Sequence, residues 1–327
     1  MNEETPWVWC KGIAALCDHR LPDDFPEGVH SNHEDSTARS QTEYYVLLAS
    51  RINDGDLVWV RTNWLPFFVS EVLPDIKQYF VLVTGDVDDS IPSDIQRNSE
   101  LILDSPKLLH WFAQNHDGGR SDRISPIPIG MDFHSIQQDE KWGIKQLPVT
   151  KQHEVLEMIR LKLKPTGSRK RKLYIDSQFI SRHDPIRPGA ANNLSRADIY
   201  QQIHADPAVK IQPYFLPQFK MWMQRGQFDY VLSHHGFGLD CHRTWEALVL
   251  GHIVVVQKSS MDPLYNGLPV VIVDDWREVK DISSSKLLDI DLEKTWLWEK
   301  LTNKYWIEMM RGCAEQILHD KQARKHD

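Results

Sequence analysis

Between residues 228 and 256 the chain sets an apolar run, a glycine-punctuated turn and a charged helix start within one short stretch. Phe228-Asp229-Tyr230-Val231-Leu232 reads as a strand, and Gly236 and Gly238 follow it, where a missing side chain permits close backbone approach or positive φ. Such a turn presents bare amide N–H groups. Asp240 or Cys241 then opens a predicted helix running to Gly251. The unpaired N–H groups and macrodipole at a helix start favour an anion such as a pyrophosphate. Arg243 and Glu246 stand three apart and so share a helix face. They suit one ligand, cation to phosphate and carboxylate to ribose hydroxyls, or else form a surface ion pair. His234 and His235 lie at the entrance to the turn, and Ser259 and Ser260, after the next predicted strand, offer hydroxyls to a nucleotide. The spacing is neither that of a Walker loop nor that of the dinucleotide GxGxxG, which disfavours a P-loop hydrolase and a dehydrogenase.

The run from Gly236 through Asp240-Cys241-His242-Arg243-Thr244-Trp245-Glu246 to Gly251, with the later segment from Ser259 to Trp276, resembles exostosin-like glycosyltransferases. It is most similar to the branch found in large algal (chlorella) viruses and some bacteria. The strong match spans residues 228–279. Residues 79–88 resemble the family's N-terminal strand and acidic loop, and Pro128-Ile129-Gly130-Met131-Asp132-Phe133-His134 its interdomain segment. The chain departs from the family pattern at His234 and Val254, where proline is expected.

This resemblance implies an α/β fold of the GT-B type, two Rossmann-like domains facing across a cleft with a C-terminal helix crossing back to the first. The C-terminal domain would hold the nucleotide-sugar and the N-terminal domain the acceptor. It also implies an inverting, metal-independent transfer from a nucleotide diphosphate donor, with UDP the expected nucleotide, to a glycan hydroxyl. No cofactor is required beyond the nucleotide-sugar co-substrate. Arg187 resembles the arginine that follows the first strand of the family's donor domain and would clamp the departing phosphate; Arg182 is the competing assignment.

Glycosyl transfer also needs a group to take the proton of the attacking hydroxyl. Asp86, directly after an apolar run and Gly85, is the first candidate and Asp88 the second, with a structural role for Asp86 as the alternative. Asp86-Val87-Asp88 also mimics the DxD that holds Mn²⁺ or Mg²⁺ in GT-A transferases, but the donor motif lies far downstream and the acidic loop falls on the acceptor side. Asp132 and His134 are candidates for acceptor contacts; His134 is also a candidate for a donor contact or the base, with a buried, hydrogen-bonded histidine as the alternative. Asn63 either binds acceptor hydroxyls or caps the helix predicted after it. A metal-dependent GT-A-like transferase and a binding module without turnover are the rival readings. Gly-x-Ser-x-Gly and HExxH are both absent.

The 327 residues suffice for two domains, and a net charge of -8 without an extended basic stripe argues against nucleic-acid binding. Four cysteines lack zinc-ligand spacing and disulfide density, which fits a reducing compartment. An acidic start and the absence of a long apolar run predict a soluble, cytoplasmic protein with no membrane span.

Residues 21–42 read as a long polar loop, whose His30 and His33 lack partners for a metal. Strands are predicted at 56–61, 79–84 and 123–129, and helices at 65–76, 108–115 and 153–163. The breaker run 164–168 marks the expected boundary, with domains at 1–166 and 167–295 and a helical tail at 296–327. The basic run 169–172 reads as a solvated linker. Strands follow at 172–180, 209–212, 228–232, 253–257 and 270–273, and helices at 195–204 and 216–225. In the tail, Trp296, Trp298, Leu301, Tyr305, Trp306, Met309 and Met310 form a packing stripe at near-helical spacing.

Overall fold

A computed structural model of the chain describes residues 6–22, 47–119, 121–176, 186–279 and 295–324. Arg182, His30, His33, most of the 21–42 loop and the end of the predicted strand at 172–180 lie outside the described residues. The α/β class expected from the sequence is present as two compact units, each built on a five-stranded parallel sheet.

One unit comprises residues 8–129 and 302–327. Its strands are β1 (His19–Leu21), β2 (Asp56–Arg61), β3 (Phe80–Gly85), β4 (Leu108–Ala113) and β5 (Ile124–Pro126), arranged in sequence order. β3 is buried along its whole length, as a central parallel strand covered on both faces must be, which is why Phe-Val-Leu-Val reads as one apolar run. Leu21, read as part of a loop, instead ends β1 and is fully buried.

The predicted helix at 108–115 is instead β4. Leu-Leu-His-Trp-Phe-Ala is too short a run for its periodicity to separate a buried helix from a buried strand. The helix of this region lies just upstream, at Gln96–Asp104. The Asn303–Ala323 helix packs on β2, β3 and β4, burying Asn303, Trp306, Ile307, Met310 and Ala314. These positions fall at i, i+3, i+4, i+7 and i+11, one face of a helix, and Thr302 caps the start by accepting from Tyr305 N. Trp298, read as part of the packing stripe, precedes this helix and is exposed.

The other unit spans residues 130–301 together with the first seven. Its strands are β6 (Lys170–Ile175), β7 (Val209–Ile211), β8 (Phe228–Ser233), β9 (Ile253–Gln257) and β10 (Val270–Val273), in the order β10-β9-β8-β6-β7. Leu173, Ile175, Tyr230, Leu232, Ile253 and Val255 alternate along β6, β8 and β9 and fill one core with Val273 and Trp276.

This division differs from a break at 166/167. The 164–168 run is a turn inside the second unit, where Gly167 N donates to Asp229 Oδ1 at 2.7 Å and the Thr166 hydroxyl bonds Gly251 O. Breaker residues stop a helix wherever it must stop, so composition alone does not separate a turn from a linker. The basic run is likewise no free linker: residues 170–172 begin β6, and Arg169 donates to Leu250 O at 3.0 Å, satisfying a carbonyl at the end of the His242–Val249 helix. No helix among the described residues is long and apolar enough to cross a membrane.

Candidate functional site

In the second unit the chain passes from β6 outward to β7, then returns to the opposite side of β6 with β8. That reversal makes a topological switch point, and ligands of open parallel sheets bind beyond the strand ends there. The described sheet of the first unit runs in sequence order and contains no such reversal.

Three segments distant in sequence converge at this edge. Arg187, beyond β6, is 3 % exposed, and its Nε donates to Gly236 O at 2.6 Å, holding the guanidinium against the glycine turn that follows β8. Asn193 Oδ1 accepts from Arg187 N at 2.7 Å. The turn after β9 joins the same strip, with Ser260 N donating to Gly189 O at 3.0 Å and a bridge between Ser259 and Ala190. Ser259 Oγ accepts from Met261 N at 3.2 Å, so this hydroxyl shapes its own turn.

Gly236 has no positive φ, and a methyl group placed there would meet nothing closer than 3.9 Å. The positive-φ explanation therefore does not apply at Gly236, and among the described residues no neighbour crowds the position. The His242–Val249 helix starts at Cys241 as N-cap, whose side chain makes no capping bond. Gly251 at φ +73° ends this stretch, the left-handed position that glycine occupies without strain.

Several predicted donor residues are tied elsewhere. Asp240 is buried, with Oδ1 accepting from Cys241 N at 2.9 Å and Oδ2 from Trp245 Nε1 at 2.8 Å, so it braces the turn. Arg243 and Glu246 do not converge on one open face. Arg243 Nε donates to Asp176 Oδ1 at 2.7 Å, and Arg225 Nε to Asp176 Oδ2 at 2.8 Å. Glu246 is 7 % exposed and accepts from Trp222 Nε1 (3.0 Å), Arg225 Nη1 (3.2 Å) and Gln218 Nε2 (3.1 Å). Burial alone would raise the Asp176 carboxyl, but Arg225 and Arg243 hold it below the ordinary carboxylate range. Sequence reasoning missed Asp176, Arg225 and Trp222, whose isolated positions carry no motif. The one available signal was the acidic residue immediately after β6.

Burial pushes the His235 imidazole down to about 4, and Arg187 adds to the fall. Its Nδ1 faces Leu239 O at 2.7 Å, and a carbonyl only accepts, so Nδ1 carries the hydrogen. Burial, followed by Arg243, pushes His234 well down too. Both rings are therefore neutral near pH 7, and the positive charge at the turn comes from arginine. His110 in the first unit is likewise lowered to about 4, by burial and then by Arg123.

These depressed values have a definite sign. An unfolded histidine titrates near ~6.5, so between there and about 4 the unfolded chain binds more protons, and stability present above ~6.5 is lost on acidification. His110 and His235 should each cost about 3 kcal/mol by about pH 4. Urea unfolding at several pH values tests this, and a midpoint that stays flat across the window would contradict it.

In the first unit, Asp86 and Asp88 follow the end of β3 and Asn63 the end of β2. Asp86 adopts φ +68° after Gly85, where an added Cβ would lie 2.8 Å from Gln114 Oε1 and 2.9 Å from Trp59. Its carboxylate meets Arg61 Nε at 3.2 Å and Lys11 Nζ at 3.6 Å, and the side chain is 6 % exposed. Burial lowers the Lys11 ammonium, and Asp86 works against that fall. Asp88 is exposed. Asn63 is exposed in the turn after β2; the helix beginning at Leu65 has Trp64 as N-cap and no side-chain cap, so the capping role is not realised.

Asp132 and His134 belong to the second unit, contrary to a place on an acceptor domain ending at 166. They gather there with His242, whose ring centroid lies 5.6 Å from that of His134.

Comparison of the chain with protein-family models and with curated proteins found no match. Among solved structures, the chain is similar to a UDP-forming α,α-trehalose-phosphate synthase from Burkholderia vietnamiensis, at 12 % identity, 88 % of this chain, 77 % of that one and a TM-score of 0.37. A synthase of the same description from Burkholderia xenovorans gives 11 % identity, 88 % and 80 % coverage and a TM-score of 0.42. A third, a trehalose-6-phosphate synthase described in work on glycosyl transfer with retention, gives 12 % identity, 88 % and 80 % coverage and a TM-score of 0.36.

Proposed function

We propose that the chain is a glycosyltransferase of the GT-B type, related to the exostosin-like enzymes, that takes a nucleotide diphosphate sugar, with UDP the expected nucleotide. The observation carrying this reading is the buried Arg187 guanidinium seated on the carbonyl of Gly236 at the β6/β8 switch point. Transfer leaves negative charge on the departing diphosphate, and fixed donors aimed where that charge develops lower the barrier. Arg187, the amides of the turn and the start of the His242–Val249 helix supply those donors without a metal bridging the phosphates. Arg243, already tied to Asp176, adds positive charge behind them.

The acceptor is a glycan hydroxyl, and Asp88 serves as its base. Asp86, held between Lys11 and Arg61, anchors the acidic turn. The two cations beside Asp86 also oppose a Mn²⁺ ion at that carboxylate, which weakens the GT-A reading. Inversion at the anomeric carbon follows from the exostosin resemblance, whereas one similar synthase is described for retention. The anomeric configuration of the product, read by NMR, separates the two outcomes.

A thermal-shift screen with UDP-, GDP- and dTDP-sugars tests the donor. At a hundredfold excess over Kd a ligand selective for the folded state adds about 2.7 kcal/mol of stability. A UDP-sugar should raise Tm, Gly236→Ala should fold normally and lose that shift, and Asp88→Asn should keep the shift and lose turnover. A donor shift unchanged by Gly236→Ala, or none with any sugar nucleotide, would remove the reading.

A further inference from the structure

Asp132, His134 and His242 each offer one ligand atom, and these atoms all lie within 4.8 Å of one another. Asp132 is buried and the two histidines are half-buried, so the cluster is not an assortment of exposed acidic groups. His134 Nδ1 stands 3.2 Å from Asp132 Oδ1. That is close to the ~3.3 Å edge of a tetrahedron drawn with metal–ligand bonds of about 2.0–2.1 Å.

The surrounding groups orient these ligands from behind. His242 Nδ1 donates to Gly130 O at 2.7 Å, which fixes the tautomer and leaves Nε2 with its lone pair. A metal-bound imidazole is held in this way, by a carbonyl or carboxylate on its second nitrogen. Asp132 Oδ1 accepts from Ser135 N at 3.1 Å, and Oδ2 from Trp142 Nε1 at 3.1 Å. Trp142 adopts φ +55°, a left-handed conformation costly for a bulky side chain, and its indole N–H reaches Asp132 from there.

We propose that Asp132, His134 and His242 bind one divalent transition-metal ion of the zinc class, leaving a fourth position to water. Two imidazoles and one carboxylate suit Zn²⁺ or Co²⁺ rather than Mg²⁺ or Ca²⁺, which take oxygen ligands. The ion would staple the segment beginning at Gly130 to the first turn of the helix that carries Arg243. The site adjoins the helix start that the proposed function assigns to the diphosphate, does not require the metal to touch that group, and revises the expectation that the chain holds no metal.

The test uses the full chain, stripped with a chelator and dialysed, titrated with Zn²⁺ by calorimetry and with Co²⁺ by visible absorption. One ion per chain is expected, with the intense bands of tetrahedral cobalt. Asp132→Asn, which keeps a capping side chain, and His242→Gln should each weaken binding about tenfold or more, as should Trp142→Phe through loss of its support to Asp132. The exposed His204→Gln should change nothing. His134→Gln, with its side chain 21 % exposed, serves if a buried substitution fails to fold. Substoichiometric uptake by the parent chain, or uptake unaltered by the cluster variants, would overturn the site.

Discussion

Arg187→Ala should lower sugar-transfer turnover by about two to three orders of magnitude, the usual cost of removing one fixed donor from a developing negative charge. The guanidinium is 3 % exposed and its Nε is committed to Gly236 O, so its direction is set before any ligand arrives. A flexible ammonium cannot reproduce a planar fork, and Arg187→Lys should restore only part of the loss. The assay must separate kcat from KM, because a residue acting on the departing phosphate lowers kcat beyond any loss of donor affinity. Turnover within threefold of the parent in a folded Arg187→Ala protein would exclude Arg187 from the reaction.

Arg225→Met should destabilise the fold by about 3–5 kcal/mol, because it leaves Glu246 buried without its cation and Asp176 with Arg243 alone. Arg225 sits between Asp176 at 2.8 Å and Glu246 at 3.2 Å, and Arg243 completes the group from the far side of Asp176. Glu246→Gln sets an amide against the N–H donors of Trp222 and Arg225, and its loss of stability should exceed its effect on donor affinity. The prediction gives Glu246 a structural role beside the ribose-binding expectation, since its two oxygens already accept three hydrogen bonds within the chain. Urea denaturation with a double-mutant cycle at 225 and 246 measures the coupling. An Arg225→Met protein within about 1 kcal/mol of the parent would show the network to be dispensable.

Much of the fold was legible because parallel strands buried on both faces are written as continuous apolar runs, such as Phe80-Val81-Leu82-Val83 and Ile253-Val254-Val255-Val256. The same property concealed β4, since a short buried run ending in Trp111-Phe112-Ala113 has no period to distinguish it from a helix. The division into units differs from the expected boundary for a related reason. Residues 164–168 have the composition of a linker, yet their hydrogen bonds to Asp229 and Gly251 make them an internal turn.

The sequence by itself determined the α/β class and the glycine turn with its helix, because each depends on residues adjacent along the chain, while the family resemblance put Arg187 forward with Arg182 as the competing assignment. Only the tertiary structure decided that Arg187 meets Gly236, that Arg243 and Glu246 belong to a buried charge network with Asp176 and Arg225, and that Asp132, His134 and His242 form one cluster. Which face of a helix is buried, and which distant side chain answers a charge, depends on sheet order and crossover. A switch of strand order between β6 and β8 joins residues about fifty positions apart, and no local pattern encodes that pairing.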